Sequence, residues 1–560
     1  MSYKFSDSPP LHNFFLTSIV IFIWTMIYLP ELGMLEFQGT ENKRAEPAMR
    51  MLETGDFIIP TLSGDTYLSK PPLIYWLISL SYFTTGNHSE WASRFPSTLA
   101  ILAFVLIIMS SKKSFIPIDG RFFISVIFLT TFGIASKGRE CEIEALYTAI
   151  NGISFWLWIN YEDALPASWK TGLLIGIFLG LGLLSKGPLI LLFFYLPVVI
   201  YLFKTKRNRE LWSPGYIVLI ISAVVIFMFW AVQVYQKIPV SADMEVSVGW
   251  FDQMISRLNI SEFRLGRWAG EIGASILNAL PWIILLPFML FNRTTANLEN
   301  LSKFRACLVG ILVSFIIVSL MPDVRSRYSL PLAANFCILS GWFLINQPEE
   351  GLFFKILRKC NMVLAFFMVF AILLSVAIIH SGLVFKIISL FDMNYSQSIA
   401  PPGMKFLIIM TFAAAGVIFF YLLSAKWVAP RTKHILMSGS IVGLFFVSLA
   451  IYIPPFLKPF ENKREFGRIV NESVPPNAII YQYCPEEGVG YQPFSIYIRK
   501  PVKHIETEDE VFSSPADSYI LMRENFYVRL LPFKKFTERQ PIIIKTLVFK
   551  KNTYHLIKLK

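Results

Sequence analysis

The chain has 560 residues, of which 54% are hydrophobic, 15% aromatic and only 16% charged. This composition exceeds what the core of a soluble globular protein requires, so it excludes that class and predicts a polytopic membrane protein. The formal net charge of +13 comes from short loops and the C-terminal segment, which gives little support to nucleic-acid binding.

Long apolar runs dominate the chain up to residue 453. A run of about 17 to 25 apolar residues can cross a bilayer as a helix, and this criterion predicts about thirteen spanning helices. They lie near 13–30, 93–110, 120–136, 142–160, 171–185, 187–204, 214–234, 271–292, 305–320, 328–346, 361–381, 404–424 and 434–453. We therefore expect an all-α transmembrane domain over residues 1–453.

The loop between the first two predicted helices, residues 31–94, is long and rich in ionisable side chains. These are Glu41, Glu46, Glu53, Asp56, Asp65 and Lys70. Long loops in compact folds are usually functional or disordered, and the stretch PPLIYWLISLSYF is too apolar for a disordered segment. The sequence predicts a folded extracytoplasmic loop with helices near 45–53 and 72–83 in the membrane interface.

Lysine and arginine residues indicate the orientation of the chain. Alternate loops are basic, at 110–114, 204–209, 291–305, 355–359 and 425–434. Because basic loops favour the cytoplasmic side, we expect a cytoplasmic N-terminus. The first apolar segment lacks a small-residue cleavage site and is expected to stay as a helix. The scattered cysteines predict neither disulfides nor a cysteine metal site.

The pattern changes after residue 453. Short β-rich runs such as AIIYQYC and IIIKTLVF alternate with polar segments that contain Pro and Gly. About a hundred residues suffice for one small domain. We expect a C-terminal α+β domain over 454–560 on the extracytoplasmic side.

Cations in the predicted outer loops run against the orientation bias. They are Lys70, Lys137, Arg139, Lys186, Arg264, Arg267, Arg325 and Arg327. Charges beside membrane segments are costly to desolvate, so a group of cations there predicts an anion to bind. A lipid-linked phosphate suits them because Lys and Arg bind phosphate by charge-assisted hydrogen bonds. The alternative is that each side chain reaches out to lipid headgroups.

Carboxylates form a second group, namely Glu41, Glu46, Glu140, Glu142 and Glu144. Glu140 and Glu144 are one helical turn apart at the start of a predicted helix. A carboxylate at this boundary is a candidate general base for an acceptor hydroxyl or amine; salt bridges that hold the loop are the alternative. The sequence contains no Gly-rich nucleotide loop, HExxH or GxSxG motif, and its six histidines are dispersed.

The chain resembles the GT-C membrane glycosyltransferases of the protein-mannosyltransferase-like superfamily, and within it the lipid A aminoarabinose transferases. The resemblance rests on TENKRAEPAMRMLETGDFIIPTLSGDTYLSKPPLIYWL, ASRFPS, GRECEIEALYT, LLSKGP, ALPW and RSRYSLPL, in that order. It implies an enzyme of the cell inner membrane that transfers a sugar from a polyprenyl-phosphate carrier to lipid A, another envelope lipid or a glycan. Membrane lipids are expected partners, and nucleic acid is not.

Site residues follow from the same resemblance. Lys70 would hold the donor phosphate with Arg325, Arg327 and Tyr328, and Glu41 and Glu144 would be catalytic. Further candidates are Glu46, Arg139, Lys186, Arg264 and Arg267.

The chain departs from the family pattern at two of these positions. Thr40 stands where the family usually has Asp, and Ser69 where the aminoarabinose transferases have Glu, so a metal role at position 69 is not transferred. No cofactor is certain, although a divalent metal stays possible.

The resemblance predicts an inverting transfer in which the lipid phosphate leaves and cations neutralise its charge. Two other functions stay open. A protein O-glycosyltransferase of the same superfamily would use the same donor. A lipid-linked sugar transporter or flippase would instead use intramembrane charges along a translocation path, although the unusual charges gather on one predicted face.

Overall fold

The computed structural model describes residues 10–112, 114–237, 263–291, 298–363, 429–457, 461–485, 492–549 and 552–560. Most of the helix predicted near 361–381, all of that near 404–424 and most of the 235–270 loop lie outside the described residues.

The described residues are mostly helical. The α-helices are α1 Pro10–Tyr28, α2 Asn42–Thr54, α3 Leu73–Thr85, α4 Glu90–Ser110, α5 Ile118–Leu129, α6 Phe132–Lys137, α7 Ile143–Tyr161, α8 Trp169–Lys186, α9 Leu189–Lys204, α10 Pro214–Lys237, α11 Leu265–Leu277, α12 Leu285–Phe291, α13 Leu298–Ser319, α14 Leu330–Ile345, α15 Pro430–Leu457, α16 Lys463–Ser473, α17 Glu508–Phe512, α18 Glu524–Leu530 and α19 Lys534–Thr537. The strands are β1 Thr61–Leu62, β2 Asp65–Thr66, β3 Ile480–Tyr483, β4 Val502–Ile505, β5 Tyr519–Arg523, β6 Ile542–Phe549 and β7 Asn552–Lys558.

Six of the described helices are long and apolar enough to span a membrane, and a seventh span results if one bent helix pair is counted. Leu73–Thr85, Leu189–Lys204 and Leu330–Ile345 are apolar but shorter. A multi-helix membrane protein is thus confirmed, whereas the number thirteen stays a prediction.

The helix predicted over 120–136 is two helices, α5 and α6. The hydroxyls of Thr130 and Thr131 donate to the carbonyls of Val126 and Ile127, at 2.6 and 2.7 Å. Such hydrogen bonds to the preceding turn weaken a helix. The freed amide of Phe132 donates to Leu280 O at 2.8 Å, and a long-range bond thereby replaces a helical one.

The helix predicted over 271–292 is also interrupted. α11 ends at Leu277, and the following apolar segment runs from Trp282 to Phe291 at an angle of 86° to it. Pro281 lies in the break, where it has no amide hydrogen to continue a helical ladder. Asn278 lies next to this interruption, and its carbonyl accepts from Gly133 N at 2.9 Å. Gly133 lies next to the interruption between α5 and α6, so the two interrupted helices are hydrogen-bonded to each other.

Two compact units divide the chain. One contains Met1–Leu32 and Arg94–Phe456, and the other contains Gly33–Ser93 and Leu457–Lys560. The contacts therefore group the first loop with the C-terminal segment. The functional division into 1–453 and 454–560 stays a prediction.

The core of the first unit lies around α7 and α14, which are buried along most of their length. The amide of Asn151 in α7 donates to Pro331 O and Asn335 Oδ1 of α14, at 3.0 and 3.1 Å. Asn335 in turn donates to Phe193 O of α9 at 3.3 Å. These buried hydrogen bonds fix the register of three apolar helices, which apolar packing alone specifies poorly.

The second unit contains a five-stranded sheet of order β4-β3-β5-β7-β6. β3 is parallel to β4 and β5, and β7 is antiparallel to β5 and β6. One face packs on Phe466 and Val470 of α16. The other face packs on the C-terminal helices through Phe526 and Phe536. Both faces are thus covered, as a sheet with parallel strands requires.

Candidate functional site

A group of charged and aromatic side chains forms where three segments of the first unit meet. Glu144 lies in the first turn of α7, and Lys186 is the last residue of α8. Their carboxylate and ammonium groups are 2.9 Å apart and nearly buried, with exposures of 4% and 9%. Arg327 Nε is 3.5 Å from the same Glu144 oxygen. Lys186 Nζ also lies 5.0 Å from the ring centre of Tyr328.

The local sequence explains why these side chains lie at the ends of their helices. Gly187 follows the last residue of α8, and its φ of +95° is a conformation that favours glycine. Lys186 therefore stands at a helix C-terminus and Glu144 at a helix N-terminus, where the helix dipoles favour their respective charges. Arg327 and Tyr328 belong to the 3-10 turn Ser326–Tyr328 that leads into α14.

A second acidic residue holds two more of the predicted cations. Asp323 is 3.1 Å from a guanidinium nitrogen of Arg267 and 3.6 Å from one of Arg325. The side chains of Arg267 and Arg325 are 55% and 43% exposed, so their charges remain accessible to a ligand. Glu271 Oε2 accepts from Ser326 N at 2.7 Å and thereby fixes the 3-10 turn to α11.

Sequence reasoning missed three members of this site, namely Tyr147, Asp323 and Glu271. Tyr147 lies under Lys186, with 5.8 Å from Nζ to the ring centre. Its spacing of three residues from Glu144 places it on the same helix face, which is a signal available in the sequence. Asp323 is two residues before Arg325, and Glu271 is an isolated acid in α11; neither position shows its partner without the fold.

Arg139 and Arg264 have other places in the first unit. Arg139 donates to Ile27 O at 2.7 Å and Pro30 O at 2.5 Å, and so caps the C-terminal end of α1. Burial lowers the pKa of its guanidinium to about 10, which leaves it charged at neutral pH. Arg264 is exposed immediately before α11. The structure therefore gives Arg139 a structural contact and leaves the role of Arg264 a prediction.

Glu41 and Lys70 belong to the second unit. Glu41 immediately precedes α2 and is buried, with its Oε2 accepting from Gln38 N at 2.7 Å. Lys70 is half-buried, and its Nζ donates to Ser69 O at 2.9 Å. Their catalytic and phosphate-binding roles stay predictions.

Glu46 lies within α2 and is completely buried. Its Oε1 accepts from Ser63 N at 2.9 Å. This bond joins α2 to the β1–β2 turn, so the structure gives Glu46 a role in holding the loop together.

Metal binding has no candidate cluster among the residues that the structure describes, where no group of three or more His, Cys, Asp or Glu side chains could hold an ion. The predicted possibility of a divalent metal is left to experiment.

Comparison with known proteins finds relatives over much of the chain. Residues 69–235 match the family described as dolichyl-phosphate-mannose-protein mannosyltransferase. The undecaprenyl phosphate-α-4-amino-4-deoxy-L-arabinose arabinosyl transferase of Edwardsiella ictaluri is 25% identical over 373 residues, which are 65% of each chain. That of Aeromonas hydrophila is 29% identical over 318 residues, 56% of each chain. The match thus spans 65% and 56% of the length of these two relatives.

Solved structures extend the similarity over nearly the whole chain. ArnT from Cupriavidus metallidurans in the apo state matches with a TM-score of 0.70 and 14% identity, covering 97% of both chains. The same protein bound to undecaprenyl phosphate matches with a TM-score of 0.68 and 15% identity, again over 97% of both. The chain resembles the aminoarabinose transferases in sequence and has the fold of ArnT. The resemblance predicted from the short motifs is confirmed.

The similarity to aminoarabinose transferases gives the charged group in the first unit its context. The family match at 69–235 contains Glu144 and Lys186 of this group, and Arg327 and Tyr328 lie outside it. Residues that the motifs placed far apart in the chain, from Glu144 to Tyr328, therefore meet within a fold shared with these transferases.

Proposed function

We propose that this protein is a glycosyltransferase that moves a sugar from a polyprenyl-phosphate carrier to a lipid A or other envelope lipid or glycan acceptor. The reaction would take place at the outer face of the cell inner membrane. The observation that carries the proposal is the meeting of Glu144, Lys186, Arg327 and Tyr328 in a chain with the fold of ArnT. The relatives' names supply the class of donor.

The proposed chemistry needs positive charge opposite the leaving group. When the acceptor oxygen or nitrogen bonds to the anomeric carbon, the bond from that carbon to the phosphate oxygen breaks, and the carrier phosphate gains negative charge. Lys70, Arg325 and Arg327 would stabilise this charge, which develops during the reaction and is therefore worth more in the transition state than in the bound donor. Tyr328 would contact the same phosphate.

The acceptor proton requires a base. Glu41 and Glu144 are the candidates, and their surroundings differ. The Glu144 carboxylate lies 2.9 Å from Lys186 Nζ and 3.5 Å from Arg327 Nε, so it holds both cations in place. Glu41 is buried immediately before α2, and its Oε2 accepts from Gln38 N at 2.7 Å. We assign the base to Glu41, which the family resemblance places in the acidic first-loop motif, and the orientation of Lys186 and Arg327 to Glu144.

Lys70→Ala tests the donor site. Removing one cation opposite a developing phosphate charge should cost about 2.7 to 4 kcal/mol of transition-state stabilisation, a loss of roughly a hundredfold to a thousandfold. Turnover of a polyprenyl-phospho-sugar by the purified protein measures it. Lys534→Ala, at a side chain that is 90% exposed, is the matched control. Normal turnover of Lys70→Ala at saturating donor would show that Lys70 only contacts headgroups.

A protein acceptor is the second candidate, because the family that matches residues 69–235 is described as a protein mannosyltransferase. Lipid A and peptide acceptors should be compared in the same assay, with and without a metal chelator. If sugar is transferred to the peptide and not to lipid A, the acceptor is a protein. Loss of transfer in the presence of the chelator would show a metal requirement.

A further inference from the structure

The hairpin that precedes Lys70 closes on a two-residue turn. β1 pairs with β2 in the register Thr61 with Thr66 and Leu62 with Asp65. The turn residues Ser63 and Gly64 both have positive φ, +54° and +93°. Positive φ at both positions is typical of the type I′ turn, whose twist matches that of its strands. Tyr67 N donates to Pro60 O at 2.8 Å and extends the pairing toward Lys70.

One side of this hairpin is held by α2. Ser63 N donates to Glu46 Oε1 at 2.9 Å, and Arg44 donates to the Tyr67 hydroxyl at 3.4 Å. The first contact fixes the turn and the second fixes the strand that leads out of it. The hairpin therefore cannot shift along α2 without losing a hydrogen bond from a buried group.

The other side of the hairpin lies on the C-terminal sheet. A Cβ atom at Gly64 would stand 2.7 Å from Val502 O of β4, so the two backbones approach as closely as glycine allows. Next to it, Asp65 Oδ2 is 3.5 Å from His504 Nδ1, also on β4. The Asp65 side chain is 62% exposed, so solvent screens its ion pair with His504. The close packing of Gly64 against β4 should therefore contribute more to the docking of the hairpin.

We propose that β4 of the C-terminal sheet positions the phosphate-binding lysine. The hairpin docks on β4 through Gly64 and Asp65, and this contact sets the segment that carries Lys70 five residues further on. Gly64, Asp65 and His504 are positioning residues that act through Lys70. The inference rests on the proposed function, because it assigns the C-terminal segment a part in binding the donor phosphate.

Gly64→Ala and Gly86→Ala form a matched pair for the test. Both glycines have positive φ, +93° and +68°, but no neighbouring atom lies within 4 Å of a Cβ at Gly86. The pair thus shares the conformational penalty of alanine and differs in the clash with β4.

In the full-length protein, Gly64→Ala should increase amide hydrogen exchange over 61–70 and lower kcat/KM for a polyprenyl-phospho-sugar about tenfold, which corresponds to about 1.4 kcal/mol. Gly86→Ala should change kcat/KM less than about threefold.

A double variant shows whether Gly64 acts through Lys70. In a Lys70→Ala background, Gly64→Ala should weaken the binding of undecaprenyl phosphate no further, because the positioned group is already absent. Additive losses would overturn the inference, and so would faster exchange in Gly64→Ala with unchanged kcat/KM. Full activity of Lys70→Ala would instead remove the proposed role of Lys70 itself, and the exchange data would still report whether the hairpin docks.

Discussion

Glu46 shows how burial changes a carboxyl group of the first loop. Its side chain is inaccessible, and Oε2 has no hydrogen-bond partner within the part of the chain that the structure describes. Burial raises its pKa from the usual 4.5 to about 7, because desolvation penalises the charged form more than the Ser63 amide favours it. Glu46 therefore binds a proton over a pH range in which an unfolded glutamate has lost it.

This raised pKa predicts the pH dependence of stability. Since the folded protein binds the proton more tightly, the contribution to stability is complete below pH 4.5 and is lost as the pH rises through about 7. The loss is on the order of 3 kcal/mol. Glu46→Gln keeps the Oε1 acceptor and has no charge to bury. We expect its Tm to exceed that of the wild type at pH 8 and to equal it near pH 4.5.

Scanning fluorimetry of the purified protein between pH 4.5 and 8 measures this difference. Glu53→Gln is the control, because Glu53 is exposed and paired with Arg50 at 2.6 Å. Parallel curves for the wild type and Glu46→Gln would mean that Glu46 is charged when folded.

The two candidate bases can be separated by matched amide substitutions. Glu41→Gln should lower turnover at least about a hundredfold with donor binding little changed, at the low end of general-base catalysis. Glu144→Gln should weaken donor binding and lower Tm, because Lys186 and Arg327 lose the charge that holds them. If Glu41→Gln remains active and Glu144→Gln folds normally but is inactive, the general base is Glu144 and not Glu41.

At the scale of elements, Tyr497 links three segments of the second unit. It ends the 3-10 turn Ser495–Tyr497. Its hydroxyl donates to Glu90 Oε1 at 2.6 Å and accepts from Phe37 N at 3.0 Å. Arg464 of α16 donates to the same Glu90 oxygen at 3.0 Å. This small cluster of polar groups thus joins segments that are several hundred residues apart in the sequence.

Tyr497→Phe tests this link. The change leaves the aromatic ring in place and removes two hydrogen bonds from nearly buried partners, which should cost about 1 to 3 kcal/mol and lower Tm. The control is Tyr481→Phe, at a partly buried tyrosine of β3. Equal Tm values for the two variants would show that water replaces the Tyr497 contacts.

At the scale of the whole molecule, orientation in the membrane stays a prediction from the basic loops. Cysteine labelling in intact cells tests it on a chain with Cys360 replaced, since the other four cysteines are buried. Arg209→Cys, at an exposed position of the 204–209 loop, should be protected from an impermeant thiol reagent. Asp509→Cys, at a side chain that is 88% exposed, should react. The reverse pattern would place the proposed site on the cytoplasmic face.

The sequence by itself determined the class of protein, most helix positions, and the part of the charged group formed by Glu144, Lys186, Arg327 and Tyr328. Apolar length and charge bias are local properties, and short motifs such as RSRY and SKGP preserve the resemblance. Even Lys186 and Glu144 were identifiable, because a charge beside a membrane segment stands out from its surroundings.

Only the tertiary structure decided which of these charges share a partner. Apolar periodicity continues through Thr130 and Asn278, yet both helices end there because distant backbones compete for their hydrogen bonds. Likewise, Arg139 and Arg327 look alike in the sequence, but one caps α1 and the other faces Glu144. The local sequence indicates that a charge needs a compensating group. Contacts between residues far apart in the chain determine which group compensates it.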